Sequence, residues 1–208
     1  SVGAGKLGLE LEPEQLWAVL SSFGIGRLTD SGFPGESAGV LNHPQYWRPV
    51  GQATLAYGYG LSVTALQLAQ AYSVIAADGI RRPISMLVQD EQVAGERVVS
   101  VDTARRLRSM LETVVSPAGT GQRAAIRNFR VAGKTGTAKK VGVGGYSEDR
   151  YVAVFAGLAP ASDPKLVAVV VIDEPRGEDY YGGEVAAPVF SRIVSGALRL
   201  MAIPPDAL

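Results

Sequence analysis

Apolar positions recur along the chain with two different periods. From Pro13 to Phe23, Leu16, Val19, Leu20 and Phe23 fall on one helical stripe, with Pro13 suited to a first turn and Gly24 to the stop. Leu61 to Ala77 predicts the strongest helix. Val63 through Ile75 is apolar on most of its circumference, which implies burial on several sides, and Asp78-Gly79 ends it. After Asp102, expected to cap a helix through Val114, the positions Leu107, Met110, Leu111 and Val114 repeat at helical spacing. Phe190, Ile193, Val194, Ala197, Leu198 and Met201 predict a closing helix over Pro188 to Met201. Two runs read instead as strands, Tyr151 to Pro160 and Leu166 to Asp173, joined by Ala161-Ser-Asp-Pro164. The second run is continuously apolar, so both of its faces are expected to be covered. Short runs at Ile84–Leu87 and Val98–Val101, with Gly95 between them, predict a small hairpin.

The segments between these elements are punctuated by glycine and proline. Ser1 to Gly8 is small and glycine-rich. Its Gly3-Ala-Gly-Lys-Leu-Gly8 fits G-x-G-x-x-G in letters but has no strand before it and no βαβ unit around it, which discounts a dinucleotide site. Gly24 to Arg48 is loop-rich, and Gly32-Phe-Pro-Gly-Glu36 within it is read as structural. Ser116-Pro-Ala-Gly-Thr-Gly121 breaks a helix, and the three arginines of 123–130 are expected to be solvated or paired. Glycine content and charge mark 138–150 as a mobile loop, the kind of segment that carries binding residues beside a rigid scaffold. The order strand, loop, strand, turn, strand implies an antiparallel meander. With the helices packed on its faces, the fold class is α+β. No internal repeat or interdomain linker is visible.

Composition narrows the chemistry. At 208 residues and 47% hydrophobic, the chain can bury a sizeable core. Lys+Arg 20 against Asp+Glu 20 gives no bulk attraction to nucleic acid or to an anionic membrane. Without cysteine there are no disulfides, thiolate nucleophiles or cysteine zinc sites. The single histidine, His43, lies in the loop-like Asn42-His-Pro44 and is read as a surface residue, so neither a metal site nor a Ser-His-Asp triad is expected. No run of about 18 apolar residues is present to span a membrane, and no signal peptide is seen.

The most informative stretch is Val131-Ala-Gly-Lys-Thr-Gly-Thr-Ala138. It is strand-like but broken by Gly133 and Gly136, and glycines within a strand often mark the close approach of a ligand or another backbone. Between and beside them stand Lys134, Thr135 and Thr137, one cation and two hydroxyls able to hold a carboxylate and an amide carbonyl. A plain edge strand with a solvated lysine is the alternative. A phosphate loop is excluded, because G-x-x-x-x-G-K needs glycine where Asn128 stands.

Lys-Thr-Gly is one of three motifs, with S-x-x-K and S-x-N, of penicillin-binding proteins and class A β-lactamases. Here it stands with Tyr57-Gly-Tyr-Gly-Leu-Ser-Val-Thr-Ala-Leu-Gln-Leu-Ala69 upstream. Downstream come Tyr151–Pro160, Leu166–Asp173, Tyr180-Tyr-Gly-Gly183 and Ala187-Pro-Val-Phe190. Together these resemble the C-terminal part of the transpeptidase domain of a class B penicillin-binding protein, most of all the cell-division transpeptidases of Gram-negative bacteria. The resemblance covers nearly the whole chain.

The resemblance implies a serine D,D-transpeptidase that acts on the D-Ala-D-Ala end of peptidoglycan stem peptides and is acylated by β-lactams, with no cofactor. It implies that Lys134 and the backbone N–H of Thr137 are catalytic. Thr135, Gly136 and Thr137 would bind the substrate, and Lys139, Tyr59, Tyr151, Tyr180 and Tyr181 would line its pocket. It also implies a place on the periplasmic side of the inner membrane, an anchor outside this chain and division-complex membrane proteins as partners. The chain departs from the family in being read without the S-x-x-K nucleophile and its lysine, and without S-x-N as such. Ser1-Val-Gly3 resembles the tail of that last motif. Residues 1–208 are therefore expected to be the C-terminal portion of a transpeptidase domain. Such a portion would be inactive alone and would pair with the upstream part of its own chain. A serine β-lactamase or D,D-carboxypeptidase of the same fold, and a non-catalytic cell-wall or partner-binding module, are the alternatives.

Overall fold

The computed structural model describes residues 2–91, 93–142 and 145–207. They form two compact units. One comprises 1–71 and 81–98, the other 72–80 and 99–208. Ser1 lies outside the described residues.

In the first unit, helix α1 (Val2–Glu10) occupies the glycine-rich start and packs on α3 (Pro49–Leu55). Helix α2 (Pro13–Ser22) lies where the apolar stripe placed it. The glycines that obscured α1 are what let it approach α3, since a Cβ at Gly8 would stand 2.5 Å from Ala56 Cβ. Gln52 Nε2 donates to Gly8 O at 2.9 Å and to Leu11 O at 2.7 Å, satisfying carbonyls at the end of α1. Helix α4 (Ala65–Ala76) is the strong helix of the sequence. Its buried positions include two glutamines, Gln67 and Gln70, as well as Val74. Gln67 Nε2 donates to Arg27 O and Ala38 O, each at 2.7 Å, and so pins the long 24–48 loop. Within that loop Glu36 accepts from Thr29 N at 3.0 Å and from the Thr29 hydroxyl, a structural tie for the last residue of Gly32–Glu36. Strands β1 (Ile80–Arg81) and β2 (Glu96–Arg97) form a two-stranded ribbon. The hairpin expected from Ile84–Leu87 is thus corrected. Met86, Leu87 and Val88 are exposed and bury nothing that would order a strand.

The second unit is built on an antiparallel sheet of β3 (Ala132–Gly142), β4 (Gly145–Ala159) and β5 (Leu166–Asp173), in that order. On one face Phe155 and Ala159 pack with Phe190, Val194 and Leu198 of α7 (Ala187–Leu200). The Phe155 and Phe190 rings lie 4.8 Å apart, tilted by 58°. On the other face Ala132, Leu158 and Ala161 pack with Leu111 of α5 (Val101–Val115) and with Ile75 and Ala76. Helices on both faces of an antiparallel sheet are the expected α+β arrangement.

Four local expectations are corrected. The cap of α5 is Ser100, whose hydroxyl accepts from Thr103 N at 3.1 Å, while Asp102 sits in the first turn and pairs with Arg106 at 2.9 Å. Most of the 138–150 segment is strand: β3 and β4 run on as a long antiparallel pair with an irregularity between Lys139 and Val141, and residues 143–144 lie outside the described residues. Val171 of β5 is 45% exposed, so the apolar run is not covered on both faces. In α7 Ile193 is 58% exposed and Met201, just past its end, 51%; neither belongs to the buried stripe.

Candidate active site

Among the described residues β3 has β4 on one side and no strand on the other. Its backbone groups on that outer side make no ladder with another strand among the described residues. The register pairs Thr135 with Phe155, Thr137 with Ala153 and Lys139 with Tyr151. Directly opposed residues share a face, so Thr135, Thr137 and Lys139 lie on the α7 face of the sheet. Lys134 and Gly136 alternate to the other face.

The two motif glycines have different reasons to be glycine. A Cβ at Gly133 would lie 2.6 Å from Phe155 Cζ and 2.7 Å from Ala156 O, so the fold itself requires glycine there. A Cβ at Gly136 would meet only Val154 Cβ, at an ordinary 3.6 Å. Among the described residues nothing excludes a side chain at Gly136.

Lys134 folds back along the strand, with Nζ 3.0 Å from Thr135 O and 3.2 Å from Thr135 Oγ1. Partial loss of solvent around the ammonium lowers its pKa below that of an ordinary lysine. Thr135 Oγ1 is also 3.0 Å from Thr120 Oγ1. Thr137 Oγ1 accepts from Gly182 N at 3.0 Å, at the start of the short helix α6 (Gly182–Val185). A Cβ on Gly182 would run into Val154 O and Gly136 O, so α6 presses directly on the sheet backbone. Arg123 pairs with Glu184 at 2.6 Å and holds α6 from the other side. Gly182→Ala is expected to destabilise the protein by about 1–3 kcal/mol, the usual cost of overpacking a close contact. A denaturant-unfolding midpoint unchanged by the substitution would show that α6 can move away freely.

Tyr151, Tyr180 and Tyr181 form a continuous aromatic wall at the Lys139 end of β3. Tyr151 and Tyr180 stack at 4.2 Å and Tyr180 and Tyr181 at 4.4 Å, with Tyr180 Oη donating to Tyr181 Oη at 3.0 Å. That hydrogen bond is the main cause of the raised pKa of Tyr181. Tyr59 belongs to the first unit, where its ring stands edge-on to Tyr57 at 6.0 Å. His43 is exposed, with its ring 5.5 Å from Trp17, as expected of a surface histidine.

Two contributors escaped the sequence reading, Thr120 and the Gly182 amide. Thr120 had been visible only as part of a helix-breaking run. The reading of the chain as free of S-x-x-K also needs correction in letters, because Ser162-Asp-Pro-Lys165 has that spacing. The structure places it in the β4–β5 turn, past the end of the strand that pairs with Lys134–Thr137. Ser162 Oγ donates to Asp206 at 2.6 Å, and Lys165 pairs with Asp163 at 2.6 Å. The serine and lysine are each engaged elsewhere, so the spacing is not a nucleophile with its base. Among the described residues no cluster of three or more His, Asp or Glu side chains is placed to hold a metal, and no helix is long and apolar enough to cross a membrane.

Comparison with known proteins agrees with this geometry. The family model described as the penicillin binding protein transpeptidase domain matches residues 1–195. The chain is 47% identical over 208 residues to the peptidoglycan D,D-transpeptidase FtsI of Escherichia coli (strain K12), covering 100% of this chain and 35% of the relative. It is 42% identical over 205 residues to the probable peptidoglycan D,D-transpeptidase PenA of Neisseria gonorrhoeae, covering 99% and 35%. The apo transpeptidase domain of penicillin-binding protein 3 from Burkholderia pseudomallei superposes with a TM-score of 0.93 at 45% identity, over 99% of this chain and 63% of that one. The chain thus spans about a third of the length of the curated relatives it matches. It belongs to the penicillin-binding protein transpeptidase domain family.

Proposed function

We propose that this chain is the C-terminal portion of the transpeptidase domain of a septal peptidoglycan D,D-transpeptidase. In this reading it supplies the wall of the active site that holds the donor peptide's carboxylate and developing oxyanion. The observation that carries the reading is the open edge of β3. There Lys134, Thr135 and Thr137 gather one cation and two hydroxyls, and both hydroxyls are anchored by other elements.

The reaction is a two-step acyl transfer. A serine Oγ supplied by residues other than these 208 bonds to the carbonyl carbon of the penultimate D-alanine. The peptide C–N bond then breaks and its nitrogen takes up the serine's proton. A second stem-peptide amine next displaces the serine and forms the cross-link. Lys134 contributes positive potential to the reacting centre. The hydroxyls of Thr135 and Thr137 hold the terminal carboxylate, and the Thr137 backbone N–H donates to the oxyanion. Gly136 leaves room for the ligand backbone along the strand. Lys139, Tyr151, Tyr180 and Tyr181 close one end of the pocket. A β-lactam enters as a donor mimic and stops at the serine ester. The working location is the periplasmic face of the inner membrane, among the membrane proteins of the division complex.

The test is intact mass after incubation with a penicillin. It is made on the 208-residue chain and on the natural protein that contains it. An adduct is expected on the natural protein and none on the isolated chain. An adduct on the isolated chain would place the nucleophile among its own serines, and no adduct on either would refute the acyl-transfer reading.

A further inference from the structure

The 116–121 turn carries one feature that its own folding does not use. Gly119 N donates to Ser116 O and Gly121 N to Val114 O, both at 2.8 Å, so the turn closes through backbone bonds. Both glycines are enforced by packing. A Cβ at Gly119 would run into Val114 O, and one at Gly121 would lie 2.9 Å from Phe155 Cε2. From the other side Gly183 presses on the Thr120 carbonyl, where a Cβ would collide with it. The turn is therefore clamped between α5, the sheet and α6. Thr120, between its two glycines, projects a hydroxyl that none of these backbone contacts requires. That hydroxyl stands 3.0 Å from Thr135 Oγ1.

A threonine hydroxyl has one proton to give and two lone pairs to fill. Lys134 Nζ already donates to Thr135 Oγ1 at 3.2 Å. When Thr120 O–H donates as well, both lone pairs of Thr135 are taken, and its single proton is free for an acceptor at the open edge of β3. Without Thr120, the Thr135 rotor has no fixed direction. Aligned donors in such a chain also polarise one another. From this geometry we infer that Thr120 is a positioning residue, which orients the Thr135 hydroxyl as a donor to the carboxylate of the bound peptide or β-lactam. The inference rests on the acyl-transfer reading above.

The experiment measures second-order acylation rates in the natural protein for two ligands. One is a penicillin, and the other is the same penicillin with its carboxylate masked as the methyl ester. Thr120→Val is nearly isosteric and removes only the hydroxyl. It is expected to slow acylation by the free acid about tenfold, the worth of one well-placed hydrogen bond. The ester rate should stay within about twofold of wild type, and Thr120→Ser should restore the acid rate. Thr120→Ala serves as a second deletion should valine perturb the clamped turn. Equal losses for acid and ester, no loss for either ligand, or a serine variant as slow as the valine one would overturn the assignment. A wild-type protein that neither ligand acylates would instead refute the acyl-transfer reading, and this inference with it.

Discussion

Lys134→Met is expected to slow penicillin acylation of the natural protein about 10²–10³-fold, the scale of losing one preorganised charge-stabilising group. The ammonium lies beside the Thr135 carbonyl and hydroxyl, and partial desolvation strengthens its field while lowering its pKa. That lowered value gives the expectation a pH signature. Deprotonation removes the charge, so Lys134's contribution should be present at neutral pH. It should fade on the alkaline side at a pH below the ordinary lysine range. Lys134→Arg keeps a charge that does not titrate there, so it should retain part of the rate and move the alkaline limb upward. A methionine variant with wild-type acylation rates would remove Lys134 from the catalytic set.

Phe155→Ala is expected to cost about 3–5 kcal/mol of stability, at the upper end of core truncations. Phe155 is wholly buried, and three glycines from separate segments close on its ring. A Cβ at Gly121, Gly133 or Gly157 would lie 2.9, 2.6 and 2.9 Å from a ring carbon. The cavity left by truncation would be walled in part by the backbone at these three glycines, which has no side chain to relax into it. The loss should also reach the site, because Gly121 adjoins Thr120 and Gly133 adjoins Lys134. Equilibrium unfolding of the variant checks the first effect and its acylation rate the second. A cost below about 1.5 kcal/mol, the range of well-tolerated swaps, would mean that the backbone does relax.

What the sequence made legible follows from which signals are local. The stripe Phe190, Val194 and Leu198 was visible because one helix face buries all three. Ile193 and Met201 continue that stripe in letters but point to solvent, since the 3.6-residue period cannot say where the covering sheet ends. The long antiparallel pair read as a mobile loop because its glycines and charges are local evidence against a strand. Its order comes from pairing across the chain, such as Lys139 with Tyr151, and from the ion pair of Lys140 with Asp173 at 2.9 Å. Helix α1 was hidden by the glycines that let it pack. At the site, Lys134–Thr137 announced itself as a motif and Tyr151, Tyr180 and Tyr181 proved to be one stack. Thr120 carried no signal, because its meaning lies in a hydroxyl contact with a residue fifteen positions away. Ser162–Lys165 shows the converse: four letters match a catalytic pattern while both side chains are engaged elsewhere.

The open edge of β3 has a cost as well as a use. On the proposed reading the strand stays unpaired to receive a peptide, yet it offers the same row of donors and acceptors to another copy of itself, the geometry from which aggregates grow. The two kinds of visitor differ in charge. The stem peptide or β-lactam of the proposed reaction would arrive with a carboxylate, whereas a second β3 laid alongside would bring its own Lys134 and Lys139 against those of the first. Cations that would attract the one would repel the other, which would let the strand remain unsatisfied without becoming a template for self-association.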